Sequence, residues 1–322
     1  MSTKTDQLIQ DVAQGIIDAI EAAQATGSEI YSNLNWSKVL CADAIPLNHD
    51  TGAYYSGINL ILLWRSKFKQ QFNTSRWMTY KQAQKLGFQV RKGEKGTQIV
   101  KYGTFIPKAD PNLPAPPAII EEGSEEEWVQ TKGYLQVYTV FNLCQIEGID
   151  MTQFEPPAAH VVEEIQSQAC LRAKYIQDHC GAKIYLGHNS AFYRPLCDSI
   201  YMPALSQFKE PDDFYAVLFH ELSHWTGAKH RLNRDKNYKK TEGYAYEELV
   251  AELGAAFLCA DVGIDSERSS KNHASYIQSW LKVLKDDPKF LVSAASKASK
   301  AFVYIHEQVT ANAKQVHQDK AA

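Results

Sequence analysis

Residues 219–227 of this 322-residue chain read FHELSHWTG, and no other run limits the fold as much. Histidines four apart project from one face of a helix, so His220 and His224 can both reach a single metal, with Glu221 beside them as general base. The apolar residues of LFHEL make this a helix built into a core, not a surface helix with two incidental histidines. Two imidazoles leave the site incomplete, so the third protein ligand must come from elsewhere.

Two architectures could supply it. Extended to residue 230, the motif reads HELSHWTGAKH, which puts Gly227 and His230 where a metzincin keeps its turn glycine and third histidine. All four methionines lie at or before position 202, so no Met-turn follows the motif. The alternative is the acidic segment YEELVAEL, where Glu248 and Glu252 lie one turn apart on one helix face. One of them could bind metal and the other orient a ligand imidazole through its second nitrogen; the E-x-x-A-E spacing resembles that of the glutamate zincins, in which the earlier acid binds, which implies Glu248 as ligand and Glu252 as support. This glutamate set is the favoured reading, with Glu252 and His230 kept as supporting residue and alternative ligand. Glu247, off that face, reads as a solvated carboxylate. A metal held by two imidazoles and one carboxylate keeps a position for water, whose pKa falls to about 7 on zinc, so peptide hydrolysis follows. The expected cofactor is Zn2+, with Mn2+ as the other divalent candidate. Tyr244, Tyr246, His188 and Tyr193 stand near enough in sequence to stabilise an oxyanion, and none is assigned.

The motif sits in a predominantly helical second half. EEIQSQACLRAKYIQDH, the motif segment, YAYEELVAELGAAFLCADVG, YIQSWLKVLK and residues 290–308 all read as helices, with a short strand pair, AKIYL and DSIYMP, before the motif. The first half reads differently. Leu8, Ile9, Val12, Ile16, Ile17 and Ile20 predict an amphipathic opening helix. A turn-rich stretch from Asn48 to Gly57 leads into the apolar run INLILLW, and TYKQAQKLG predicts a helix stopped at Gly87. Two β-rich segments follow, FQVRKGEKGTQIVKYGTFI, split by its KGEKG turn, and GYLQVYTVFNL. Between them a proline-rich and then acidic stretch, about residues 107–127, reads as an exposed insertion joining strands that pair. The fold class is therefore α+β: a small α+β unit over 1–150 and a mainly helical unit over 151–322, each long enough to bury its own core.

Charge is segregated between these units. The chain as a whole carries −3, yet from residue 64 to 108 eleven basic residues face Glu94 alone, a local charge of +10. Such a stretch suits a track of phosphates, because each Lys or Arg displaces a counterion. Trp64, Phe68, Phe72, Trp77 and Tyr80 are interleaved with the charges, and flat rings in a basic groove stack unpaired bases, which favours single strands over duplex. Arg65, Arg76, Trp77, Lys81, Arg91, Lys92 and Lys95 are the candidate contacts, joined by Tyr54, Tyr55 and Asn59 from the turn, whose hydroxyls and amide could hold phosphate or sugar. Six cysteines without a C-x-x-C pair suggest free thiols in a reducing compartment, and the absence of an apolar leader or spanning run points to the cytoplasm with no membrane contact.

NHDTGAYYSGINLILLW, RWMTYKQAQKLGFQVRKGEKGTQIVKY and FNLCQIEG in the first half, with SAFYRPLCDSIYMP, HELSHWTGAKHRLNR and YAYEELVAELGAAFLC in the second, give the chain a likeness across nearly its whole length. It resembles the ArdC-type antirestriction proteins of conjugative plasmids. The resemblance implies an N-terminal single-stranded-DNA-binding domain and a C-terminal zincin-like metallopeptidase domain. It also implies protection of incoming plasmid DNA in the recipient cell; if peptide hydrolysis is part of that protection, a host DNA-bound protein is the substrate to look for. The alternative is a DNA-binding protective protein whose metal site is structural or proteolytically inactive. This sequence departs from the family in keeping His230 and in carrying the 107–127 insertion.

Overall fold

The computed structural model describes residues 4–25, 44–105, 132–154, 159–234, 241–264, 281–282 and 284–321. The 107–127 insertion and the YIQSW part of one expected helix lie outside the described residues. Helix α1 (Lys4–Ala25) forms as its periodicity predicts, burying Ile9, Val12, Ile16, Ile17 and Ile20. There follow β1 (Leu47–Asn48), α2 (Ile58–Gln70), β2 (Arg76–Met78), α3 (Tyr80–Lys85), β3 (Gln89–Val90), β4 (Thr97–Phe105), β5 (Lys132–Asn142) and β6 (Ile146–Glu147). The run INLILLW is the first half of α2. Leu60 to Trp64 are all buried because α2 is packed on more than one side, with Leu63 and Trp64 entering different clusters. Thr79 and Gln82 form a reciprocal capping box that starts α3, and Gly87, at φ 82°, follows its end.

Strands β1, β2, β5 and β4 make one sheet in that order, parallel between β1 and β2 and antiparallel elsewhere. The β4–β5 register runs from Thr97 opposite Val140 to Phe105 opposite Lys132, so the insertion does join strands that pair. The second half contains α4 (Ala159–His179), β7 (Lys183–Leu186), β8 (Phe192–Arg194), β9 (Ser199–Met202), α5 (Pro211–Thr226), α6 (Thr241–Val262) and α7 (Lys289–Ala321). Its sheet has the order β7-β9-β8, with β7 parallel and β8 antiparallel to β9. The expected strand pair thus gains a third member, Phe192–Arg194, too short for an alternation to register.

Each half has apolar clusters of its own, but the expectation of two separate cores does not hold. One cluster joins Val12, Ile16, Ile20, Ile61 and Trp64 of the first half to Leu249, Leu253, Phe257 and Ala294 of the second. The rings of Trp64 and Phe257 lie 5.8 Å apart, and the Gly57 N–H donates to Ser299 Oγ at 2.7 Å. Helix α6 is apolar on two sides, because Ala255, Leu258 and Val262 enter a different cluster with Leu218, Phe219 and Leu222 of α5. Gly254 lets these helices close up, since a Cβ there would stand 2.4 Å from Ser223 Oγ. No helix among the described residues is long and apolar enough to cross a membrane.

Candidate functional site

Helix α5 opens with Pro211 in its first turn and Asp212 and Asp213 close to the positive end of its dipole. It then runs into the core, carrying His220 and His224 on the face toward α6. Their Nε2 atoms lie 3.0 Å apart, and the Glu248 carboxylate of α6 reaches both, Oε2 3.5 Å from His220 Nε2 and Oε1 3.5 Å from His224 Nε2. One donor atom from each of the three falls within 4.8 Å of the others, the spacing a single ion requires.

The second nitrogens of both rings face carboxylates. His220 Nδ1 stands 3.1 Å from Glu252 Oε1, and His224 Nδ1 stands 3.4 Å from Glu247 Oε1. A carboxylate at Nδ1 fixes the proton there and turns the Nε2 lone pair toward the shared point. Three carboxylates from one turn-and-a-half of α6 thus divide between the metal position and the backs of the two imidazoles.

The expectation for Glu247 is overturned. Its carboxylate is buried, and Arg234 grips it through Nε at 3.1 Å and Nη2 at 2.8 Å. Burial would raise its pKa, but the hydrogen bonds from His224 and Arg234 and their charges hold it down to about 2. Arg234 also donates to Thr226 Oγ1 at 2.6 Å and to the Ser223 carbonyl, tying the turn after α5 back onto the helix. Gly227 gives that guanidinium its space, since a Cβ would lie 2.9 Å from Arg234 Nη2. Glu248 is likewise buried. Burial opposes ionisation there, while bonds from His220 and Tyr244 and the histidine charges lower its pKa overall.

Glu221 is buried beside the pair, and its Oε2 accepts the backbone N–H of Tyr193 in β8 at 2.8 Å. The Tyr193 hydroxyl donates to Asp198 at 2.9 Å, and burial and that bond push its pKa up to about 12. Asp198 is held near pKa 2, chiefly by hydrogen bonding from Arg231, whose guanidinium lies 4.0 Å above the Trp225 ring. His230 belongs to this group and not to the metal position: it is 63% exposed and stands 3.3 Å from Asp198 and 2.7 Å from Arg231. Of the other oxyanion candidates, Tyr246 hydrogen-bonds Ser293, and His188 packs on Phe192 and Tyr201, whereas Tyr244 bonds Glu248. Glu247, Arg234 and the Tyr193 amide escaped the sequence reading. The available signal was the doubled acid Glu247-Glu248, which reaches two rings at once when His220 and His224 stand side by side.

The basic stretch resolves unevenly. Lys81, Lys92 and Lys95 are exposed, as are the rings of Phe68, Tyr80 and Tyr54. Arg91 is exposed but bonds Glu94 and the Cys144 carbonyl. Trp77 is fully enclosed, packed edge-on against Phe72, so it cannot stack a base. Asn59 uses its amide on both backbone groups of Val100, at 2.8 and 2.9 Å. Tyr55 packs against two core clusters with its hydroxyl on Asn48, and Arg65 folds back on α1 to the Gly15 carbonyl. Arg76 lies 5.5 Å from the Phe154 ring. For Trp77, Asn59, Tyr55 and Arg65 the fold claims the side chain, because short β1, β2 and α2 depend on them for packing and bridging.

Known proteins share both parts. Residues 6–141 match the family described as the N-terminal domain of anti-restriction factor ArdC, and residues 171–297 the family described as zincin-like metallopeptidase. The chain is 33% identical to the uncharacterized protein y4eC of Sinorhizobium fredii (strain NBRC 101917 / NGR234), over 95% of this chain and 94% of that one. It is 38% identical to the DNA primase TraC of Escherichia coli, over 93% of this chain but 27% of the primase. Two crystal structures of the antirestriction protein ArdC from plasmid R388, metal-free and Mn(II)-bound, match at 34% identity with TM-scores of 0.69 and 0.64. Each match covers 94% of this chain and 98% of that one.

Proposed function

The chain belongs to the family of the antirestriction protein ArdC, with an ArdC-type N-terminal domain and a zincin-like domain, and on that premise we propose that it binds single-stranded DNA and hydrolyses peptide bonds at a divalent metal. The observation that carries the peptidase reading is the convergence of His220, His224 and Glu248 within 4.8 Å beside buried Glu221. The donor set fits a divalent ion: two imidazoles backed at Nδ1 and a carboxylate between them. Zinc suits two nitrogens and one oxygen, and the Mn(II) in the R388 relative makes manganese the alternative. Bound there, the ion would supply a Lewis acid for water and for the scissile carbonyl.

The chain's own groups do the rest. Glu221 holds Oε2 on the Tyr193 amide, which leaves Oε1 to take a proton and return it to the leaving amine. Glu252 and Glu247 hold the imidazoles in one tautomer, and Arg234 balances the charge of Glu247 where water is excluded. Single-stranded DNA is held by exposed Lys81, Lys92 and Lys95 with the rings of Phe68, Tyr80 and Tyr54. Together these activities protect incoming plasmid DNA in the cytoplasm of a recipient cell, with a DNA-associated protein as the substrate.

Glu221→Gln is the decisive variant, because it keeps side-chain volume and metal ligands but removes the proton acceptor. Metal content and single-strand affinity should match wild type while peptidase activity disappears. Peptidase activity at the wild-type level would remove Glu221 from the mechanism. If activity is lost and protection of transferred DNA persists, DNA binding alone protects and the peptidase is accessory.

A further inference from the structure

The solvent face of the β7–β9–β8 sheet carries an arrangement that the metal centre does not use. Strand alternation turns Ile184, Ile200, Met202 and Tyr193 inward, where they pack with α5. On the opposite face Tyr185, Tyr201 and Phe192 are direct cross-strand partners, and their rings form one column. Tyr185 and Tyr201 stack at 5.3 Å with 24° between planes, and Tyr201 and Phe192 at 5.0 Å with 19°. His188 lies edge-on to both Tyr201 and Phe192, at 5.0 and 5.5 Å. Tyr185, at the end of the column, is 51% exposed.

A second row runs beside the first. Lys183 and Arg194 flank Ser199 as its cross-strand partners on the same face, two residues from the rings and therefore about 7 Å away along the strands; Ser199 itself is buried, its hydroxyl donating to the Cys197 carbonyl at 2.9 Å. Both cations are exposed, and Arg194 is near enough to act on the Tyr201 phenol and the Cys197 thiol. No strand residue on this face is acidic. Lys183, Tyr185 and Arg194 are exposed and Tyr201 and Phe192 half-buried, and an aromatic column open at one end in this way marks a contact surface.

We propose that this face is a second contact for single-stranded DNA, with an unpaired base continuing the column at Tyr185 and its phosphate paired with Lys183 and Arg194. A row of rings beside a row of cations matches the separation of base and phosphate within one nucleotide. Duplex DNA keeps its base faces covered and cannot use the column. The proposal rests on the single-strand reading above and extends it into the half of the chain that holds the metal centre.

The test uses the full chain and fluorescein-labelled oligothymidylates, one long enough to span both halves and one short. Tyr185→Ala should weaken the long oligonucleotide about tenfold, a moderate loss for one stacked base. Lys183→Glu with Arg194→Glu should flatten the log–log salt slope by about 1.4, two contacts at roughly 0.7 each. Photocrosslinking with 5-iododeoxyuridine should give an adduct within 183–201. Unchanged affinity in both variants with no adduct in that span overturns the proposal, and unchanged metal stoichiometry certifies the fold. Reversal of Lys81, Lys92 and Lys95 separates the two readings. If that reversal is silent while Tyr185→Ala weakens binding, the N-terminal reading fails and this one stands; the opposite pattern does the reverse. If Tyr185→Ala raises only the KM for a cleaved peptide, the face belongs to peptide and the proposal is overturned.

Discussion

The metal centre and the basic N-terminal stretch place charge in opposite ways. In the first, His220, Glu247, Glu248 and Glu252 are buried and His224 is half-buried, and they answer one another: His220 by Glu252, His224 by Glu247, Glu247 by Arg234. In the second, Lys81 in α3 and Lys92 and Lys95 in the turn between β3 and β4 stand in solvent, and the rings of the stretch divide between exposed Phe68 and Tyr80 and buried Trp64 and Trp77. Buried charges are fixed by geometry, and each loss leaves an uncompensated partner, costing about 3–5 kcal/mol when a buried pair is broken. Exposed charges act additively and are screened by salt. The two regions should therefore fail differently.

The largest effect is expected from His220→Ala and Glu248→Ala, each of which should abolish stoichiometric metal binding, read by chelator titration, at unchanged single-strand affinity. His230→Ala should keep its metal, and the reverse pattern would restore a three-histidine centre. Next, Trp77→Ala should lower unfolding stability by about 3–5 kcal/mol, as for other fully buried large aromatics. The folded fraction should still bind DNA, whereas a selective loss of DNA affinity at unchanged stability would return Trp77 to the binding surface. Glu247→Gln comes third: metal affinity should fall about 10- to 100-fold, the usual toll for losing a carboxylate behind a ligand imidazole. Wild-type affinity in competition with a chelator would make Glu247 a mere partner for Arg234.

The smallest effect concerns Asp198. Its carboxylate is held near 2 against an ordinary value of 3.8, so the stability it contributes is present above about pH 4 and is lost as pH falls through 2. Asp198→Asn should flatten the acid limb of stability between those values. An unchanged acid limb would show that Arg231 holds its turn through Trp225 alone.

The two regions also differed in how far they could be read from sequence. That His220 and His224 share one helix face, and Glu248 and Glu252 another, is legible in the sequence because helical spacing dictates which side chains stand together before any tertiary contact is known. The burial of Glu247 is not legible there, because its partner, Arg234, arrives through a turn whose path follows from packing and not from period. In the N-terminal stretch the excess of charge was visible, but Trp77 and Phe68 occupy similar surroundings in sequence and opposite ones in space. INLILLW reads in sequence only as an apolar run, and the structure makes it the first half of α2, buried on more than one side. The shared core was hidden for the same reason, since α6 shows apolar residues all round without naming what covers each side.

That shared core bears on whether the two halves can part company. Leu249, Leu253 and Phe257 find their cover on α1 and α2, at the far end of the sequence. A recombination event that carried off the metal-binding half alone would lay that surface bare, and the product would tend to clump. The likeness to a much longer primase accordingly takes in both halves, over 93% of this chain. A substitution that loosens this core should therefore lower the stability of both halves together.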